Sequence, residues 1–172
     1  MGYHPASTEA HSPKGTDLML NSALVAAHVL AAIVWVGGMF FAYMALRPAA
    51  VATLEPPARL SLWAATFGRF FPWVWLSVVL LPATGYGMIF GWFGGFAGAP
   101  LYVHLMNGLG IVMILIYLHV YFAPYRRLRR AVAETDWATG GRALSQIRML
   151  VGINLLIGLT VAAIATGGRM LG

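Results

Sequence analysis

Four long apolar runs dominate the chain, separated by short segments rich in arginine, proline or glycine. The first runs from about Leu18 to Leu46, holds one ionisable group, His28, and is predicted to stop at Arg47-Pro48. The second covers 69–93, with Pro72 in its first turn. Pro82 lies mid-span, and with Gly85 and Gly87 just after it a kink is expected there. The third covers 101–123 and contains His104, Asn107 and His119; the fourth covers 149–166. A helix needs roughly 20 apolar residues to cross a bilayer core, so each run suits one crossing. Between the first two, the Glu55-Pro56-Pro57 break is followed by Arg59, Leu60, Trp63 and Phe67, the pattern of a short interfacial helix. Residues 1–17 are polar, lack the apolar stretch of a cleavable signal, and are expected to form a solvated periplasmic tail. The expected fold is an all-α polytopic membrane four-helix bundle, one domain over 18–172, with that short interfacial helix between spans one and two.

Composition strengthens this picture. Of 172 residues, 60% are hydrophobic and only 9% charged, with a mean hydropathy of +0.76. Soluble domains carry about 25% charged residues, so an ordinary water-soluble protein is excluded. The absence of cysteine removes disulfides, thiolate metal sites, iron–sulfur clusters and thiol nucleophiles, and leaves nitrogen, oxygen and thioether as metal donors. The net charge of +6 is unevenly placed. Arg47, Arg59, Arg69, Arg126, Arg127, Arg129, Arg130, Arg142 and Arg148 flank one side of the spans, whereas Lys14 and Arg169 flank the other. By the positive-inside rule, both termini and the uncharged turn around Gly95 should face the periplasm of a bacterial inner membrane. Topology therefore accounts for the basic residues, and the bilayer, not nucleic acid, is the expected partner.

Ionisable groups inside spans are costly and count as functional candidates. Here they reduce to His28, His104 and His119, since His4 and His11 lie in the tail. Counting rise per residue puts His28 ~10 Å beyond Asn21 and His104 ~6 Å beyond Pro100, two comparable depths; His119 is roughly 22 Å further along the third helix. Two imidazoles on different helices at one depth suit a bis-histidine haem b, whose iron needs only two axial ligands from the protein. Small residues share their faces: His28 with Ala31, Ala32 and Trp35, and His104 with Gly108 and Ile111. Trp35 and Gly108 would then line the cofactor, while His119 would serve a hydrogen bond or a separate metal site. The plainer alternative is that each histidine stays neutral and hydrogen-bonds across the bundle, as Asn107 and Asn154 are expected to do. Copper is the competing metal. Met39, Met44, Met88, Met106 and Met113 supply thioethers but form no paired rows at helical spacing, and read as packing. The Arg126 to Arg130 cluster suits anionic headgroups or haem propionates, or acts simply as a topology anchor.

The block Ala27-His28-Val29 with Ile33-Val34-Trp35-Val36-Gly37-Gly38-Met39-Phe40, closed by Arg47-Pro48, resembles the CopD-type copper-resistance membrane domain. Tyr117-Leu118-His119 followed by basic residues is similar both to CopD-like proteins and to the HemJ-type protoporphyrinogen oxidases. The first likeness implies copper uptake from the periplasm, the second a haem b protein of the tetrapyrrole pathway. Both imply His28 and His119, not His104, as the paired histidines. The chain lacks the lysine that HemJ-type proteins carry in the third span, with Met106-Asn107-Gly108 nearby instead, and it lacks the larger periplasmic and extra-span regions of full-length CopD. Function is accordingly expected to be haem-based electron transfer or oxidation at the periplasmic side, with a redox partner or quinone. Copper transport or homeostasis is the alternative, and a structural subunit of a larger membrane complex or homo-oligomer a third. No hydrolytic nucleophile–base set, phosphate loop or in-span carboxylate pair is visible.

Overall fold

The computed structural model describes residues 15–171; His4, His11 and Lys14 lie outside the described residues, as does the side chain of Arg169. Four long helices form the molecule: α1 (Leu18–Thr53, entered from Gly15), α2 (Pro56–Phe93), α3 (Leu101–Ala133) and α4 (Trp137–Gly168). All four are long and apolar enough to cross a membrane, and among the described residues there is no strand. Helix α1 packs along α2 and α3 along α4, while α2 also meets α4, which closes the bundle.

These helices are longer than the apolar runs. The 38 residues of α2 extend ~57 Å, against a hydrocarbon core of about 30 Å. The separate interfacial helix expected over 48–68 does not exist: Pro56 to Gly68 are the first turns of α2 itself. Nor does α1 stop at Arg47-Pro48; it continues to Thr53, α3 continues past Ala123 to Ala133, and α4 starts twelve residues before Met149, at Trp137. Prolines that normally end a helix are absorbed here. A π-helical turn at Ala42–Leu46 precedes Pro48, and another at Tyr121–Tyr125 contains Pro124. The wider turn relieves the crowding of the proline ring against the preceding carbonyls. Pro72 and Pro82 both lie inside α2, so Pro72 is not in a first turn.

Since successive helices run antiparallel, the surplus turns all project at one end, where the nine arginines also lie. That end has its own core. Leu60, Trp63, Leu128, Ala131, Ala143 and Ile147 are buried there, whereas Arg126, Arg127, Arg129 and Arg130 are exposed on the outer face of α3. A deeper aromatic layer follows from four-residue spacing, which puts Trp63, Phe67 and Phe71 on one face of α2 and Tyr117, Tyr121 and Tyr125 on one face of α3. The rows interlock, with Phe71 to Tyr125 at 4.7 Å and Phe71 to Tyr117 at 5.5 Å between ring centroids. Edge-on pairs of this kind each contribute about 0.5–1.5 kcal/mol beyond their burial. Close approach of α4 to α1 depends on Gly158, where a Cβ would lie 2.9 Å from Val36 Cγ2.

The connections differ in chemistry. Helix α2 ends on Gly94 at φ 66°, whose N–H and that of Gly95 both donate to the Ile89 carbonyl. Helix α3 ends with Thr135 at φ 56°: Asp136 N–H donates to Ala131 O at 2.9 Å and Thr135 N–H to Val132 O at 3.3 Å, a Schellman closure. Asp136 then caps α4, its carboxylate accepting the Thr139 N–H at 3.0 Å. Hydrogen bonds from Thr139 hold the Asp136 carboxyl below the ordinary aspartate range.

Candidate metal site

His28 lies on the inner face of α1, half-buried, one to three turns from the buried Ala31, Trp35 and Met39. Its Nδ1 is 2.8 Å from Thr84 Oγ1 on α2. The Thr84 hydroxyl has one proton, and the 2.6 Å contact to the Leu80 carbonyl takes it. Thr84 Oγ1 is thus the acceptor and His28 Nδ1–H the donor, which assigns the remaining lone pair to Nε2. Gly85 lies beside the ring, where a Cβ would sit in van der Waals contact with His28 Cε1 at 3.4 Å. An imidazole with Nδ1–H tied to a fixed oxygen and Nε2 bare is the arrangement that metal-binding histidines adopt.

The other candidates are placed elsewhere. His104 is exposed on α3, with its ring 5.9 Å from Phe96, which also contacts Tyr86 and Phe90. Gly108 is exposed on the same side of α3. His119 is exposed at the arginine-rich end, where its Nε2 receives a long 3.5 Å hydrogen bond from Gln146 Nε2, while Gln146 Oε1 accepts from Arg127 at 3.5 Å. Trp35 is buried deep in the bundle, its ring 6.0 Å from Tyr117. Only His28 and Trp35 therefore share an interior face. No hydrogen bond or ring contact joins His28, His104 and His119, and among the described residues no group of three or more His, Asp or Glu side chains could hold a metal ion. A haem b slung between His28 and His104 gains no support: His28 lies half-buried against Thr84 inside the bundle, whereas His104 lies exposed beside Phe96, and no contact joins the two.

Two features escaped the sequence. Thr84 is 56 residues from His28, and a threonine in an apolar helix carries no sign of its partner. Asn154, expected to bond across the bundle, is 3% exposed and its Oδ1 has no hydrogen-bond partner. The amide is buried without one because the side chains lining the adjacent cavity, among them Phe71, Val74 and Val120, are overwhelmingly apolar. Met39 and Met113 are buried in the core, and Met44 is 59% exposed.

The family model for CopD, described as copper resistance protein D, matches residues 64–167, which is 104 of the 172 residues. The chain belongs to the CopD family. The match covers most of α2, all of α3 and nearly all of α4, and so includes His104, Gly108, His119 and Asn154. It does not include the α1 block around His28 and Trp35. The likeness of Tyr117-Leu118-His119 to HemJ-type oxidases gains no support. Comparison with curated proteins and with solved structures gives no match.

Proposed function

We propose that this CopD-family protein handles copper in a bacterial inner membrane, receiving the ion at the end of the bundle that carries the uncharged turn around Gly95 and moving it toward the arginine-rich end. The single observation that carries this is the family match over three of the four helices. Ligand chemistry is in keeping with it. The sequence has no cysteine and no acidic residue within the apolar runs, so imidazole and thioether are the donors at hand, and both suit copper. His28 is the proposed first contact, because Thr84 holds its ring and leaves Nε2 bare. The positive-inside rule then puts the arginine-rich end in the cytoplasm and directs the ion inward.

The test pairs a cell measurement with a spectrum. Copper accumulation in cells lacking the protein should be restored by the parent chain and not by His28→Ala expressed to the same level. Unchanged accumulation with the parent chain would end the copper reading. A Soret band with sharp reduced α and β bands in the purified protein would instead return the haem reading.

A further inference from the structure

Ionisable side chains within membrane helices ordinarily face the bundle interior or a water-filled cavity. His119 does neither, being exposed on the outside of α3. Counted from Leu101, helical rise puts it ~27 Å along, at the arginine-rich rim of a hydrocarbon layer about 30 Å thick. Arg127 follows at ~39 Å, inside the roughly 40–45 Å that includes both headgroup layers.

Eight α-helical residues turn ~800°, which alone would leave Arg127 ~80° around α3 from His119. The π-helical turn at Tyr121–Tyr125 holds one residue more than an α-turn and takes back that offset, so the two side chains stand in line. Gln146 of α4 bridges them, its Nε2 3.5 Å from His119 Nε2 and its Oε1 3.5 Å from Arg127 Nη1. Both links are long, and the guanidinium, the amide and the imidazole keep N–H donors to spare. No carboxylate uses them: among the described residues the one ion pair is Arg130 with Glu134, at 3.9 Å. Toward the membrane centre the same faces turn apolar, with Leu115 four residues before His119 and Met149 and Ile153 three and seven after Gln146, all exposed.

We infer that Arg127, Gln146 and His119 form a site for the phosphodiester of an anionic phospholipid, whose acyl chains lie along Leu115, Met149 and Ile153. The guanidinium offers a planar fork matched to two phosphate oxygens, and the amide and imidazole hold the group from below. The lipid supplies the counter-charge that the chain does not, at the depth where a phosphate lies. The positive-inside rule puts the site in the cytoplasmic leaflet, whose surface is negative. Bound there, one lipid spans the seam between α3 and α4.

Native mass spectrometry of the purified full-length chain, titrated with phosphatidylglycerol or phosphatidylcholine, reads the lipid retained. The two share the phosphodiester, and choline neutralises it in the second, so the parent chain should prefer phosphatidylglycerol. Arg127→Gln should lower that affinity about tenfold, and Gln146→Leu and His119→Leu about fivefold each. Gln146→Leu changes no charge, so diffuse attraction to the arginine-rich end predicts no loss in it. Arg69→Gln removes the same charge from an exposed position on α2, on the side away from Phe67 and Phe71, and should bind like the parent. Inorganic phosphate in excess should leave the lipid bound, because it has no chains to seat. Melting temperatures in one detergent show that the variants fold. Equal losses in Arg127→Gln and Arg69→Gln, parent-like binding by Gln146→Leu or His119→Leu, or an equal hold on both lipids overturns the site. Displacement by inorganic phosphate overturns the lipid as its ligand. Copper accumulation is a separate readout, so this site and the copper function stand or fall independently.

Discussion

Thr84 Oγ1 lies against His28 Nδ1 and the carbonyls of Leu80 and Leu81 and has one proton, and that limit fixes the chemistry of His28. With the hydroxyl proton donated to Leu80 O, the imidazole must donate through Nδ1, and its free lone pair lies on Nε2. Thr84→Val keeps the shape and removes the acceptor, freeing the ring to rotate and exchange tautomers. Loss of an outer-shell partner typically lowers metal affinity 10–100-fold. Thr84→Val should weaken copper(I) binding at His28 within that range, measured by chelator competition, and Thr84→Ser should restore it. Equal affinities for the parent chain and Thr84→Val would detach Thr84 from the site. At this scale the sequence was half legible. The face of His28, Ala31, Ala32 and Trp35 follows from helical spacing; Ala31 and Trp35 are buried and His28 and Ala32 half-buried, with the buried Met39 continuing it. The Thr84 contact and the orphaned Asn154 oxygen depend on how distant helices meet, which spacing within one helix does not record.

At the scale of elements, the two inter-helix turns with left-handed residues make opposite choices. Helix α2 ends in Gly94 at φ 66°, where glycine is unstrained, while α3 ends in Thr135 at φ 56°, where a β-branched residue is crowded. A left-handed L-residue costs roughly 1–2 kcal/mol, partly offset by the chain entropy that glycine would lose. Thr135→Gly should therefore stabilise the protein by about 1 kcal/mol, and Gly94→Ala destabilise it by about as much. Thermal unfolding in one detergent would show the two midpoints moving in opposite directions; a lowered midpoint for Thr135→Gly would mean that the threonine side chain makes an interaction worth more than its strain. The four helices were legible because their apolar runs are long. Their true ends were not, because Arg47-Pro48, Glu55-Pro56-Pro57 and Pro124 read as breaks. Two of these prolines are accommodated by π-helical turns, which the sequence does not mark: a third, at Ile33–Gly37, has no proline near it.

For the whole molecule, the distribution of arginine divides a water-facing end from a lipid-facing body. Nine arginines at one end predict that this end stays on the cytoplasmic side. The natural chain has no cysteine, so a single introduced thiol reports unambiguously. Ala97→Cys, in the uncharged turn, should react with a membrane-impermeant maleimide in intact cells. Ala138→Cys, in the first turn of α4, should react only after the membrane is opened. Both sites are exposed, so the reverse pattern would invert the molecule and with it the proposed direction of copper movement.

The continuity of the helices through the arginine-rich end also bears on how this protein can be imaged. At 18.6 kDa, with most of its mass inside a micelle, it offers little for particle alignment. Helices α3 and α4, however, emerge from the membrane as a packed pair joined by the tight turn at Glu134, Thr135 and Asp136. A soluble helical partner spliced between Ala133 and Trp137, in helical register on both sides, would extend two helices already fixed against each other by Leu128, Ala131, Ala143 and Ile147. It would be held as a rigid fiducial rather than swing on a linker.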